Sequence, residues 1–156
     1  MATAKVVQIP LKTTTEKLQS EKKWGAAVMR HGTLIVPSIL LRAQARLLVN
    51  STQMIVLLQL IEHWWTVDSK VFPSMKTIAT RIDLTPKQVQ RTIDALVKKG
   101  LITKLSRRLP NGGKTSNEYK FDGLVAKIKA IEPDFEKARK AKIAAGKPGG
   151  LAANTD

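Results

Sequence analysis

Cysteine is absent from this 156-residue sequence, and histidine occurs only twice. A chain without cysteine cannot form disulfides or thiolate metal sites, and it lacks one common catalytic nucleophile. Long apolar runs are also missing, since no stretch approaches the roughly 20 residues that a membrane-spanning helix needs. The N-terminus is polar and contains no hydrophobic signal segment. We therefore expect a soluble, cytoplasmic protein that has no membrane partner.

The usual sequence patterns of enzymes are missing as well. No glycine-rich phosphate loop follows a strand, no histidine or carboxylate cluster has metal-ligand spacing, and no nucleophile has a visible base. The segment from Asn111 to Lys114 superficially resembles a phosphate loop, but it lacks the full spacing and lies between two predicted strands. His63 stands beside two tryptophans, where a hydrogen-bonded packing role is more common than ligand binding. We therefore predict no enzymatic activity, no cofactor and no metal site.

Acidic residues are scarce, and the resulting net charge indicates what kind of molecule the protein binds. The chain has 12 Asp and Glu against 27 Lys and Arg, which leaves a net charge of +15. Residues 81–120 alone contain ten basic and three acidic groups, so the surplus is not confined to one basic tail. An excess of this size favours a polyanionic partner.

The N-terminal third contains helix signals but no candidate catalytic or binding residues. Residues 1–19 are rich in threonine and lysine without periodicity, which favours a flexible arm. Ser20 is a candidate cap for a short helix that ends at Gly32. Pro37 is predicted to open a further helix, whose apolar stripe comprises Val36, Leu40, Ala43 and Leu47.

The most apolar helix is predicted over residues 52–67, with Asn50 and Ser51 as alternative caps. One broad apolar face comprises Met54, Leu57, Leu58, Ile61, Trp64 and Trp65, while Ile55, Val56 and Leu60 point elsewhere. A helix that is apolar on two sides must be covered twice. We favour coverage by the helix that begins at Pro37, and a contact with another subunit is the alternative.

Two helices in the centre have the spacing of a helix-turn-helix motif. The first is predicted to begin at Ser74 and to end before a short turn, Asp83-Leu84. The second begins with a capping box, in which Thr85 is followed three residues later by Gln88, and Pro86 occupies the first helical position. Its inward stripe comprises Val89, Ile93, Leu96 and Val97. Its outward side comprises Lys87, Arg91, Asp94 and Lys98.

A β-hairpin is predicted to follow this second helix. Residues 101–105 form one strand, residues 110–113 a turn, and residues 117–121 a returning strand with Tyr119 and Phe121 on its buried side. The hairpin is rich in basic residues, which suits contacts with phosphates or with a narrow minor groove. The alternative is that these charges only keep an exposed hairpin soluble.

Beyond the hairpin, residues 124–131 have helical spacing, Pro133 is predicted to open another helix, and the remainder is rich in alanine, glycine and lysine. The terminal helices are candidate elements of a dimer.

The residues of this central region resemble those of bacterial winged helix-turn-helix proteins. The resemblance covers residues 72–121 and rests on Phe72-Pro73-Ser74, Thr77-Ile78-Ala79, Thr85 to Arg91, Lys99-Gly100-Leu101-Ile102 and Thr115 to Tyr119. More loosely, Trp24-Gly25, His31-Gly32, Pro37 and Leu40-Leu41-Arg42 resemble the leader of a mobile-element subgroup that includes plasmid replication-initiation and regulatory proteins. The resemblance implies sequence-specific binding of double-stranded DNA, commonly as a homodimer, with the second helix in the major groove. Asp83 departs from the pattern, because the family often has glycine in this turn.

These observations predict a mainly α fold with a small β-hairpin wing, namely a winged helix-turn-helix with additional N- and C-terminal helices. The predicted segments are a flexible arm over 1–19, a helical extension over 20–50, the DNA-binding domain over 51–121, a helical extension over 122–140 and a flexible tail over 141–156. The predicted DNA contacts fall in three groups. Lys87, Gln88, Gln90 and Arg91 would read the bases, and Thr85 at the helix start is a further predicted DNA-binding residue. Ser74, Lys76, Thr77 and Lys98 would hold phosphates. Arg107, Arg108, Lys114, Thr115 and Asn117 would form the wing contacts. Asp94 is assigned to a salt bridge in preference to reading a cytosine.

The function predicted from the sequence is that of a nucleoid-associated transcriptional regulator. The alternative is a plasmid or mobile-element factor in replication initiation or partition, which would use the same DNA surface. A winged helix that serves only as a protein-interaction module is a further alternative, which the basic surface disfavours.

Overall fold

A computed structural model of the protein describes residues 11–146. The chain divides into two compact units, with the boundary between Ile35 and Val36. The N-terminal unit contains helix α1, Leu11–Trp24, and helix α2, Ala26–Met29. Helix α1 corrects the expectation of a flexible arm for residues 11–19, and the rest of that arm lies outside the described residues. Its Lys, Glu and Gln residues are good helix formers, and their propensity outweighs that of the threonines that suggested a flexible chain.

The C-terminal unit is mainly helical and has a two-stranded antiparallel sheet. Its elements in chain order are α3, Ser38–Arg42; α4, Ser51–Ile61; α5, Met75–Arg81; α6, Pro86–Lys98; β1, Thr103–Leu105; β2, Glu118–Lys120; and α7, Asp122–Ala144. Lys104 of β1 pairs with Tyr119 of β2. Within residues 11–146 no helix is long and apolar enough to cross a membrane.

Helix α4 lies at the centre of the hydrophobic core and is covered on two sides. Val56 and Leu60 belong to the second apolar side, and both are fully buried in the chain, like Leu57 on the main face, whereas Ile55 of the same side is 41% exposed. Most of this side is therefore covered within the chain, which is the coverage that the sequence analysis favoured over a subunit contact. Asn50 is the cap, since its side chain accepts from the Gln53 amide at 2.8 Å and Gln53 bonds back to Asn50.

Helix α4 ends at Ile61, six residues before its predicted end. The amides of His63 and Trp64 bond only three residues back, to Leu60 and Ile61, so that the chain tightens and leaves the helical path. Trp64 then packs on Phe121 with ring centroids 4.9 Å apart, whereas Trp65 is 83% exposed. The prediction that both tryptophans belong to the buried face is therefore wrong for Trp65.

Helix α7 is a single helix of 23 residues and contains Pro133. The sequence predicted a new helix at this proline, and a flexible tail from residue 141. A proline inside a helix lacks an amide donor and crowds the carbonyl four residues back, and the packing of Ile131 and Phe135 against the core offsets part of this cost. A salt bridge between Arg46 and Asp134, at 2.7 Å, also ties this part of α7 to the turns after α3. The tail beyond residue 146 lies outside the described residues.

Candidate nucleic-acid interface

Helices α5 and α6 are joined by a tight turn that depends on Asp83. The residue has φ of 55°, in the left-handed region that favours glycine, and aspartate is among the few other residues that tolerate it. The Leu84 amide donates to the Ala79 carbonyl at 3.0 Å, which closes the C-terminus of α5. The turn that the sequence placed at Asp83-Leu84 is thus present, with the geometry that glycine would provide more easily.

The N-terminus of α6 has the predicted capping box. The Thr85 hydroxyl accepts from the Gln88 amide at 3.2 Å, and the Gln88 side-chain oxygen accepts from the Thr85 amide at 2.8 Å. This second bond occupies the oxygen that Gln88 needs for a bidentate contact with adenine. Gln90 is exposed on the same helix and takes no part in the cap, so it suits that contact better.

The two sides of α6 differ as the sequence predicts. Val89, Ile93 and Leu96 are fully buried, and Val97 is partly buried. On the other side the predicted base-reading residues Lys87, Gln88, Gln90 and Arg91 are exposed, as is Lys98, the predicted phosphate ligand. Asp94 forms a salt bridge with Lys104 at 2.5 Å, which was the favoured assignment and links α6 to strand β1.

Several basic residues near this face have structural partners. Arg81 donates to the Glu62 carboxylate at 2.5 Å and to Gln59 at 3.3 Å, so it holds α5 against the end of α4. Lys99 donates to the Leu48 carbonyl and to the Gln53 side chain. Part of the positive charge between residues 81 and 120 is therefore used in contacts within the chain, and only the remainder is available to a binding partner.

At the start of α5 the predicted phosphate ligands are only partly free. The Ser74 hydroxyl accepts from the Thr77 amide at 3.0 Å and lies 2.8 Å from the Thr77 hydroxyl. Ser74 is therefore the cap of α5, and a phosphate contact would have to share its hydroxyl. Lys76 is exposed beside them.

The hairpin is shorter in its strands than predicted but closes at the predicted turn. Each strand has three residues, and an isolated bridge pairs Arg108 with Lys114 nearer the tip. The Leu109 amide donates to the Gly113 carbonyl at 2.8 Å, and the Asn111 side chain accepts from the Gly113 amide at 2.9 Å. Tyr119 and Phe121 are buried, as expected for the returning strand.

The limbs of the hairpin enclose a polar cleft of about 410 Å³, lined by Ser106, Arg107, Arg108, Lys114, Thr115 and Asn117. Five of these residues are the predicted wing contacts, which the structure brings together. Ser106 was missed, and its place next to two arginines on one limb was the available signal. Three cationic side chains line this cleft, and their chemistry would suit an anion such as phosphate.

Arg107 has an aromatic neighbour from outside the hairpin. The Arg107 guanidinium carbon lies 4.2 Å from the centre of the Phe72 ring, a contact that sequence reasoning did not foresee.

Tyr119 of strand β2 is the titratable residue of the hairpin whose pKa is shifted. Burial raises the pKa of the Tyr119 hydroxyl above its ordinary value of 10.0; Asn117 opposes this rise and the Asp94 carboxylate adds to it. In the described part of the chain, no group of three His, Cys, Asp or Glu residues could hold a metal ion.

Three solved structures are similar to this chain at low sequence identity, and one of them reaches a TM-score above 0.5. The N-terminal domain of DnaD from Geobacillus kaustophilus HTA426 matches with a TM-score of 0.51 at 17% identity, over 86% of this chain and 99% of that one. A possible transcriptional regulator from Methanosarcina mazei Go1 has a TM-score of 0.42 at 15% identity, over 65% and 82% of the two chains. YusO from Bacillus subtilis has a TM-score of 0.38 at 17% identity, over 88% and 96%.

No curated protein matches the sequence. The family model of the DnaD N-terminal domain matches residues 36–140, which is more than half of the chain and lies within the C-terminal unit. The chain therefore belongs to the family of the DnaD N-terminal domain.

Proposed function

We propose that the protein binds double-stranded DNA sequence-specifically as a winged helix-turn-helix, with α6 in the major groove and the hairpin over 103–120 as the wing. The observation that carries this proposal is the two-sided character of α6. Val89, Ile93 and Leu96 of its inner stripe are fully buried, while Lys87, Gln90 and Arg91 project from its first turns into solvent. The second helix of such a pair places its base contacts in these turns.

Each group of side chains has a role that its chemistry supports. Arg91 and Lys87 donate to guanine O6 and N7, and Gln90 pairs with adenine. Lys98, and Lys76 with its two hydroxyl neighbours at the start of α5, contact phosphates and set the register without reading sequence. The cationic cleft of the hairpin contacts the backbone beside the groove. The protein acts by binding alone, without catalysis.

The cellular role is either transcription regulation or replication initiation. The sequence favours a regulator, whereas membership of the DnaD N-terminal domain family, a family related to bacterial DNA replication, supports the second role. Mapping bound sites across the source genome separates them, because a regulator occupies promoters and an initiator occupies an origin. A homodimer fits either role, and sedimentation of the full chain with and without its site tests it.

The decisive experiment is a titration of the full-length protein against random and selected duplexes at low and at moderate salt. We expect binding to all duplexes at low salt, and a preference for the selected sequence that persists as salt increases. Absence of duplex binding even at low ionic strength would contradict the proposal and would favour a protein-interaction module.

A further inference from the structure

One wing cation has an aromatic support that lies outside the hairpin. Phe72 precedes α5 in the chain, yet its ring lies 4.2 Å from the Arg107 guanidinium carbon on the limb after β1. A guanidinium over an aromatic face is attracted by the ring quadrupole, and the contact leaves the N–H groups at its edge free to donate. Arg107 is also a lining residue of the polar cleft.

The backbone next to Phe72 explains why the ring reaches the hairpin. The Tyr119 amide donates to the Val71 carbonyl at 2.7 Å, so that Val71 forms a bridge with strand β2. Successive residues in an extended segment point to opposite sides. Val71 is fully buried, and Phe72 accordingly points outward and is 46% exposed. A ring this exposed contributes little to the hydrophobic core. Core packing therefore does not account for the position of the Phe72 ring against Arg107.

We propose that Phe72 is a positioning residue for DNA binding: its ring holds the Arg107 guanidinium at the wing cleft, oriented for a backbone phosphate. The proposal rests on the DNA-binding function above and adds a residue to it. An arginine that is already ordered loses less side-chain entropy when it binds, which is the physical gain. Phe72 itself does not touch DNA in this arrangement.

A double-mutant cycle on the full-length protein tests the proposal, with affinity for a duplex as the readout. We expect Phe72→Leu to weaken binding roughly two- to fivefold, in line with an exposed cation–π contact. In the Arg107→Ala background the same change should have no effect, because no guanidinium remains to be held. Phe72→Tyr keeps the ring and should bind as the unaltered protein does.

Two controls keep a positioning role distinct from a structural one. Val67→Ala shortens another exposed apolar side chain nearby in the chain and should leave affinity unchanged. Thermal unfolding midpoints of all variants report whether the fold is intact. If Phe72→Leu weakens binding equally with and without Arg107, or not at all, this inference is wrong while the DNA-binding function stands. If the unaltered protein binds no duplex at low salt, both are wrong.

Discussion

At the scale of single residues, hydrogen bonds decide which polar side chains of α6 are available. The sequence predicted both a capping role and a base-reading role for Gln88, and the structure has its oxygen bonded to the Thr85 amide. Asp94 is likewise engaged, with Lys104. Arg91 and Gln90 remain exposed on the first turns of the helix, which makes them the residues on which sequence preference should depend most.

Arg91→Ala should therefore weaken binding to the preferred site by about 1 to 3 kcal/mol and relax the preference at one base pair, since a bidentate guanine contact is lost. Competition binding against a set of single-base variants of the site measures both effects. Arg139→Ala removes the same charge from an exposed position on α7 and is the matched control, for which we expect no change in preference. Unaltered discrimination by the Arg91 variant would show that the reading face lies elsewhere.

Arg107→Ala makes a useful contrast at the same scale. Its guanidinium lines the wing cleft, where phosphate contacts carry no sequence information. We expect weaker binding to all duplexes by a similar factor, with the order of preference among them preserved. A change in that order would mean that the wing reads bases, as an arginine inserted into a narrow minor groove can do.

Because of Tyr119, the stability of the folded protein should depend on pH in the alkaline range. Its side chain is buried, and burial raises the pKa of its hydroxyl above 10.0. A group whose pKa is raised in the folded state contributes stability that is complete below the unfolded value and is lost as the pH rises through the folded value. Stability should therefore fall above about pH 10.

Denaturant unfolding between pH 8 and pH 11 tests this, with Tyr119→Phe as the comparison. The phenylalanine variant cannot ionise, so its stability should decline less steeply over the same range. Parallel declines in the two proteins would show that Tyr119 is not the source of the alkaline loss of stability.

At the scale of elements, the start of α7 is fixed by a close approach of two backbones. The Leu124 amide donates to the Leu101 carbonyl at 2.8 Å, just after Gly100 ends α6 with φ of 69°. A Cβ atom on Gly123 would overlap the Gly100 carbonyl oxygen. Helix α7 can therefore pack on the end of α6 only because residue 123 has no side chain, a constraint that the sequence pattern did not reveal.

Gly123→Ala should accordingly destabilise the protein by about 1 to 3 kcal/mol, the usual cost of forcing extra volume into a packed site. Alanine is the better helix former, so propensity alone predicts the opposite sign. Thermal or urea unfolding decides between the two. Lys129→Ala on the exposed side of the same helix is the control, with an expected change within about 0.5 kcal/mol. A more stable Gly123→Ala variant would show that the two backbones separate at little cost.

At the scale of the whole molecule, net charge and its placement govern association with a polyanion. The chain carries +15, but Arg81, Lys99 and Lys104 are engaged with structural partners. The basic residues that remain on the reading face and around the wing cleft are Lys87, Arg91, Lys98, Arg107, Arg108 and Lys114.

We expect roughly five to eight phosphate contacts per subunit, and hence a plot of log affinity against log salt with a slope of about −0.9 per contact. Equilibrium titrations at several salt concentrations measure it. Lys114→Ala should reduce the slope by about one contact, whereas Lys142→Ala, in the last turn of α7, should leave it unchanged. A slope near zero would remove the electrostatic basis for DNA binding.

The sequence alone determined the features that depend on neighbours in the chain. Four such features follow from local propensity and periodicity, and all are present in the structure. They are the capping box at Thr85, the turn at Asp83, the inward stripe of α6 and the hairpin turn at Pro110 to Gly113. Only the tertiary structure decided where α4 ends, that α7 continues through Pro133, and that Phe72 meets Arg107. These outcomes depend on packing and backbone approach between residues far apart in the chain, which no local pattern encodes.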